Sequence, residues 1–205
     1  MDVGSAAPFV PPSRRLADLR EAARTCTGCP LHCDTTQTVF GEGPDDATLV
    51  LVGEQPGDQE DRQGHPFVGP AGRVLWECLA DAGVDRDSLY VTNAVKHFKH
   101  ERQGTRRLHK KPSTAEVKAC HPWLDAELEA VRGRVVVALG ATAARSVLGR
   151  SLGINANRGR PFEQDGRTAI VTFHPSAVLR ASDEAVAIRA AIVDDLRLAA
   201  AASGA

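Results

Sequence analysis

The sequence predicts a single α/β domain of three layers, a mostly parallel four-stranded sheet with helices on both faces. Three observations predict it. Four short runs, residues 48–52, 89–92, 134–139 and 168–172, are apolar almost without interruption, as strands covered on both faces are. Helical patterns alternate with those runs along the chain, the order that builds parallel βαβ units. A chain of 205 residues, 42% hydrophobic and 25% charged, suits one core-bearing domain and excludes global disorder.

Each element has a local reason. Residues 1–13 carry Pro8, Pro11 and Pro12 and read as a loose, flexible tail before a domain spanning 14–205. Leu16, Leu19 and Ala23 recur at helical spacing. The Cys-rich turn 26–33 follows, then the first strand, a Gly/Pro loop and an amphipathic helix over 71–82. The second strand leads into an inserted basic loop at about 97–112. Ser113-Thr-Ala-Glu116 is a capping box, opening a helix that carries Val117, Cys120, Leu124, Leu128 and Val131. The third strand runs into Gly140 and a short helix. The fourth strand is followed by a closing helix over 184–201.

Net charge is −1, which by itself points to no polyanionic partner. Its distribution does. From Lys96 to Lys111 stand seven Lys or Arg, three histidines and one acid, Glu101, a pattern suited to contacting phosphates. No stretch reaches the roughly 18 apolar residues of a membrane span, and the first residues lack the basic and apolar regions of a secretory signal. A soluble, cytoplasmic protein is expected, with no membrane partner. Five cysteines, Cys26, Cys29, Cys33, Cys78 and Cys120, argue for a metal site plus a spare rather than a disulfide framework.

Ligands of open α/β sheets collect beyond the carboxyl ends of the strands. Here the first strand ends in Gly53-Glu54-Gln55-Pro56-Gly57-Asp58, the second in Thr92-Asn93, the fourth in Phe173-His174-Pro175-Ser176. A carboxylate, two amides and a histidine would share one cleft. The glycine turn lacks the Lys and Ser/Thr of a P-loop, which excludes a typical NTPase. Phe67, on a loop before a helix, is placed to stack on a base.

These residues resemble the uracil-DNA glycosylase superfamily, specifically its iron–sulfur members, the family 4 enzymes and their UdgX-type relatives. The resemblance rests on Cys26-x-x-Cys29, Gly53-Glu-Gln-Pro-Gly57, Gly64-His-Pro-Phe-Val-Gly69, Thr92-Asn93, Cys120, Gly140, Arg158-Gly159 and His174-Pro-Ser176. Gln55 and the run Arg106-Arg107-Leu108-His109 look like the UdgX type, although Thr105 and Leu108 depart from its Lys-Arg-Arg-Ile-His signature.

The resemblance implies a base excision repair enzyme that flips uracil out of DNA, single-stranded or duplex. Phe67 would stack on the base and Asn93 would read its Watson–Crick edge. Gly53, Gln55 and Asp58 would add contacts. His174 would favour departure of the base as an anion, and Glu54 would stabilise positive charge on the sugar. His109 would attack C1′ and stay bonded to it, leaving a covalent protein–DNA adduct in a single turnover. Arg106, Arg107, Lys110 and Ser176 would contact DNA, Arg107 also bracing the loop. A [4Fe–4S] cluster would sit on Cys26, Cys29, Cys120 and a fourth ligand, His97 or else Cys33, in a structural role. A Cys3His zinc site would use the same residues. Cys78 reads as a buried helix residue, and a monomer is expected. Two rival readings remain: a hydrolytic glycosylase that releases abasic DNA, and a binding module for damaged DNA without chemistry.

Overall fold

A computed structural model describes residues 3–204 of the chain. The four apolar runs form strands β1 (Leu49–Gly53), β2 (Tyr90–Asn93), β5 (Val135–Leu139) and β7 (Arg167–Thr172). All four are mutually parallel, in the spatial order β2-β1-β5-β7. The sheet nevertheless has five strands, not four. β6 (Pro161–Gln164) pairs antiparallel with β7 at the edge. It escapes the search for apolar runs because an edge strand is half exposed and opens on a proline. Its turn, Asp165-Gly166, is a strong hairpin signal, and both residues adopt positive φ, 51° and 74°.

Strand period two sorts each apolar run onto two faces. Leu49, Leu51, Val135, Val137 and Ile170 pack with Leu75 and Leu79 of α3 (Pro70–Ala82) and Ile192 and Leu196 of α8 (Ala185–Ser203). Val50, Val52, Val136, Ala138 and Val171 face Leu124 of α4 (Thr114–Ala130) and Ala143 and Leu148 of α5 (Gly140–Leu148). A third cluster joins α1 (Leu16–Ala23) and α4 through Leu19, Ala23, Cys26, Cys29, Cys120 and Trp123. The short helices α2 (Asp58–Gln63), α6 (Ile154–Asn157) and α7 (Ser176–Arg180) lie in the connections. Among the described residues no helix is long and apolar enough to cross a membrane.

Two expectations change. Residues 3–13 are anchored, not loose: Ala6 is buried, and its N–H donates to the Ala119 carbonyl at 2.7 Å. Residues 1 and 2 of that expected tail lie outside the described residues. The basic loop is a β-hairpin, β3 (His100–Gln103) and β4 (Arg106–His109), closed over Gly104 at φ 60°. Lys96, counted with that basic run, is instead fully buried. Its ammonium pairs with Glu127 and donates to Thr92 Oγ1 at 2.7 Å and the Asn93 carbonyl at 2.6 Å. Glu127 also accepts from Tyr90, Thr92 and the Gly41 amide. A buried charge pair needs such complete satisfaction, and this one stands behind the end of β2.

Candidate active site

Parallel pairing sets Gly53, the last residue of β1, beside Asn93, the last of β2. A Cβ on Gly53 would run into Asn93 Oδ1 and come within 2.7 Å of Phe67 Cζ, so glycine lets backbone, amide and ring meet at one point. Asn93 is buried, and its side-chain amide makes no hydrogen bond to another described residue. Phe67 holds φ at 55°, a left-handed conformation that costs a non-glycine residue about 1–3 kcal/mol. Helix α3 enforces it. Trp76 Nε1 donates to the Phe67 carbonyl at 2.9 Å, and any Cβ on Gly72 would collide with that carbonyl.

Sequence reasoning missed Glu60. Its carboxylate accepts the Gly57 amide at 3.1 Å and the Gly69 amide at 2.8 Å, lacing the loop after β1 to the loop carrying Phe67. The signal available was its place three residues after Gly57, the spacing of a capping acid.

The hairpin brings His109 to the same end of the sheet. His109 Nε2 lies 3.7 Å from Glu54 Oε1, and Glu54's other oxygen accepts the Thr142 hydroxyl at the start of α5. Gln55 clamps the hairpin's feet. Its Oε1 accepts the Lys99 amide at 3.2 Å, while its Nε2 lies 3.2 Å from the Lys99 carbonyl, 3.1 Å from the Lys110 carbonyl and 2.9 Å from His109 Nε2. Two amide hydrogens cannot serve three acceptors fully, so the His109 lone pair is only partly engaged. Burial pushes the His109 pKa below the ordinary imidazole value, and the Arg180 charge adds to this while Glu54 opposes it.

His174 completes the group. Gly140, at φ 87°, leaves only 2.9 Å between a Cβ of its own and His174 Cβ, room that any side chain would take. The Ser176 amide donates to His174 Nδ1 at 3.2 Å, and the Ser176 hydroxyl lies 2.8 Å from the same atom. That hydroxyl accepts from Arg180 at 2.7 Å, so its proton points at Nδ1. The proton of neutral His174 then resides on Nε2. Burial pushes the His174 pKa down to about 4, with Arg180 and His109 adding to it. The site therefore holds a neutral N–H donor.

Several expected contacts have other tasks. Arg107 is not presented to DNA. Its guanidinium, nearly buried, donates to Asp58 at 2.5 Å and Asp61 at 2.6 Å. The Asp58 carboxylate, expected at the base, is taken by Arg107 and by Arg62 at 2.9 Å. Arg107 pins the hairpin to α2, and alternation along β4 puts it on the same face as His109. The Ser176 hydroxyl is held between His174 and Arg180. Lys110 is exposed and pairs with Glu101 at 2.6 Å. Arg106 is exposed with no carboxylate partner among the described residues.

The sequence model of the uracil DNA glycosylase superfamily matches residues 40–197, the stretch that supplies all of these groups. The chain belongs to that superfamily. It is similar to the type-4 uracil-DNA glycosylase of Thermotoga maritima, 39% identical over 87% of this chain and 90% of the relative. It also resembles the type-4 enzyme of Pyrobaculum aerophilum, 35% identical over 80% of this chain and 85% of that one. A type-5 uracil-DNA glycosylase of the same organism is 35% identical over 63% and 62% of the two chains.

In this superfamily member the cysteine segment lies against the far end of β2. Cys26, Cys29 and Cys120 are buried in one cluster with Trp123, near enough that Cys26 raises the pKa of Cys29 and both raise that of Cys120. Burial first, then these neighbours, push Cys120 up to about 12. Trp123 Nε1 donates to Cys26 Sγ at 3.2 Å and the Lys96 amide to Cys120 Sγ at 3.3 Å, as donors around a ligated sulfur do. His97 Nδ1 is buried without a partner. Thr38 Oγ1 donates to the Ala23 carbonyl at 2.9 Å and lies 3.1 Å from His97 Nε2, so Nε2 carries the proton and Nδ1 offers a bare lone pair. Cys33, the competing fourth ligand, is exposed, with its sulfur 3.5 Å from His32 Nε2. Among the described residues no three such side chains are drawn together as around one ion. The donor chemistry of three thiols and one unprotonated nitrogen nonetheless fits a [4Fe–4S] group. Cys78 is buried in the core, as expected.

Proposed function

We propose that this chain is a uracil-DNA glycosylase of the UdgX type, which excises uracil from DNA and keeps the sugar bonded to His109. The observation carrying the proposal is the 3.7 Å approach of His109 Nε2 to Glu54 Oε1, at the sheet end where Gly53, Asn93 and Phe67 meet. Relatives named as type-4 uracil-DNA glycosylases support the excision step.

Uracil enters between the Phe67 ring and the Asn93 amide, whose donor and acceptor complement O4 and N3–H. Cytosine would oppose like groups and leave one buried and unpaired. The C1′–N1 bond breaks with its electron pair on N1, and the Nε2–H of His174 donates to O2 of the departing anion. Glu54, its other oxygen held by Thr142, stabilises the developing sugar cation. The His109 Nε2 lone pair then bonds to C1′, and the Nδ1 proton of the resulting imidazolium passes to solvent. A neutral alkyl imidazole is a poor leaving group, and the ring occupies the path that water would need. Cys26, Cys29, Cys120 and His97 would hold a [4Fe–4S] group, which would supply a structural tie between the N-terminal segment and the base of the basic hairpin loop that follows β2, and would take no part in this chemistry.

The experiment is a denaturing gel. A uracil-containing single strand is mixed with the protein and with His109→Ser, then boiled in detergent. A retarded band from the parent that is absent from the variant is expected. Free abasic DNA from the parent would return the chain to the hydrolytic reading, which the type-4 relatives favour. Unmodified uracil in both lanes would leave a DNA-binding module, although the Glu54 carboxylate would only repel DNA in such a protein.

A further inference from the structure

Beyond the pocket, a second cleft of about 410 Å³ runs from the active site along the groove between the start of α4 and helix α5. At one end it begins at Thr142, whose hydroxyl holds Glu54, and at Lys111, two residues past His109. Lys118 and Arg145 line its walls, and His121 lies towards its other end. No carboxylate lines it. Lys111, Lys118 and Arg145 are exposed, and none is paired with a carboxylate among the described residues. Arg145 uses only Nη1, donating to Thr114 Oγ1 at 2.7 Å across the cleft. The chain's net charge is −1, so three cations around one cleft with no acid among its lining residues are a local concentration of positive charge. Beyond His121 the charge reverses. The neighbouring cleft is lined by Asp125, Glu129 and Asp165 against one cation, Arg167.

We propose that the basic cleft carries the DNA strand on one side of the flipped uracil, with its phosphates against Lys118 and Arg145. This rests on the reading of the chain as an enzyme acting on DNA. Unpaired cations in a concave, acid-free channel that opens on the sugar-side carboxylate suit a polyanion entering or leaving that point. The acidic cleft marks where the strand departs from the surface. The hairpin cations Arg106 and Lys110 would then hold the strand on the other side.

The test uses Lys118→Gln and Arg145→Gln, singly and together, residues outside the excision chemistry. Binding of a uracil-free single strand is followed by fluorescence anisotropy across a salt series. Removing two phosphate contacts should shallow the logarithmic salt dependence by about 1.4, at about 0.7 per contact on single strands. Separately, product formation is measured on one strand length with uracil at the 5′ end or the 3′ end. The double variant should lose about tenfold in rate at limiting DNA on only one of the two substrates. The parental rate on the other substrate reports an intact fold and pocket. An unchanged salt slope, or an equal loss on both substrates, overturns the proposal. Should the parent cleave no uracil at all, the excision reading fails while the salt slope still decides the cleft.

Discussion

Gln55 Nε2 lies 2.9 Å from His109 Nε2, and the same carboxamide grips the hairpin at Lys99 and Lys110. One side chain thus sets both the height of the hairpin and the position of its histidine. Gln55→Ala removes four polar contacts at once. The Gln55 oxygen and two amide hydrogens amount to three full bonds, and at about 1 kcal/mol for each net bond lost covalent product should form about a hundredfold more slowly, read by single-turnover quench. A parental rate would show that the hairpin positions itself.

Arg107 is the second fastener. Arg107→Ala strands the fully buried Asp61 carboxylate, and the loss of one partner of a buried pair costs about 3 kcal/mol. A lowered melting temperature and a slower covalent step are expected together. Arg107→Lys should restore little, since an ammonium cannot bridge two carboxylates with the fixed fork of a guanidinium. Were Arg107 chiefly a phosphate contact, the lysine variant would recover most of the activity.

The proposed attack by His109 requires a free lone pair. Burial, opposed by Glu54 and aided by the Arg180 charge, holds its pKa below the ordinary 6.5, so the rate of adduct formation should fall on acidification with a midpoint below 6.5. A midpoint at or above 6.5 contradicts the assignment. Stability follows the same sign. The unfolded chain protonates His174 near 6.5 but the folded chain near 4. Between those values the unfolded state binds more protons. The stability contributed by neutral burial is therefore complete above 6.5 and is lost as the pH falls towards 4. Melting temperatures across that interval should decline less steeply in His174→Gln.

The cysteine set predicts a coloured protein. Purified without chelator it should be brown and contain iron and sulfide. Cys33→Ser should keep the colour, while Cys120→Ser and His97→Ala should lose it along with thermal stability. Zinc with no iron would assign the site differently, and colour loss only in Cys33→Ser would move the fourth ligand to Cys33.

What the sequence determined was what burial and spacing dictate locally. A run such as TLVLV at 48–52 can satisfy its backbone and bury both faces only inside a parallel sheet, so four strands and the polar groups at their ends were legible. So were Cys26-x-x-Cys29 and the glycine at 53, whose lack of a side chain is written in the chain. The tertiary structure decided which charge meets which. Arg107 finds Asp58 from 49 residues away and Asp61 from 46, Lys96 finds Glu127 across 31, and Thr142 reaches Glu54 across 88. A cation in a basic run has the same local pattern whether it faces phosphate or a buried carboxylate. Only packing removes water from one and leaves it on the other, and that difference in solvation separates a fastener from a DNA contact.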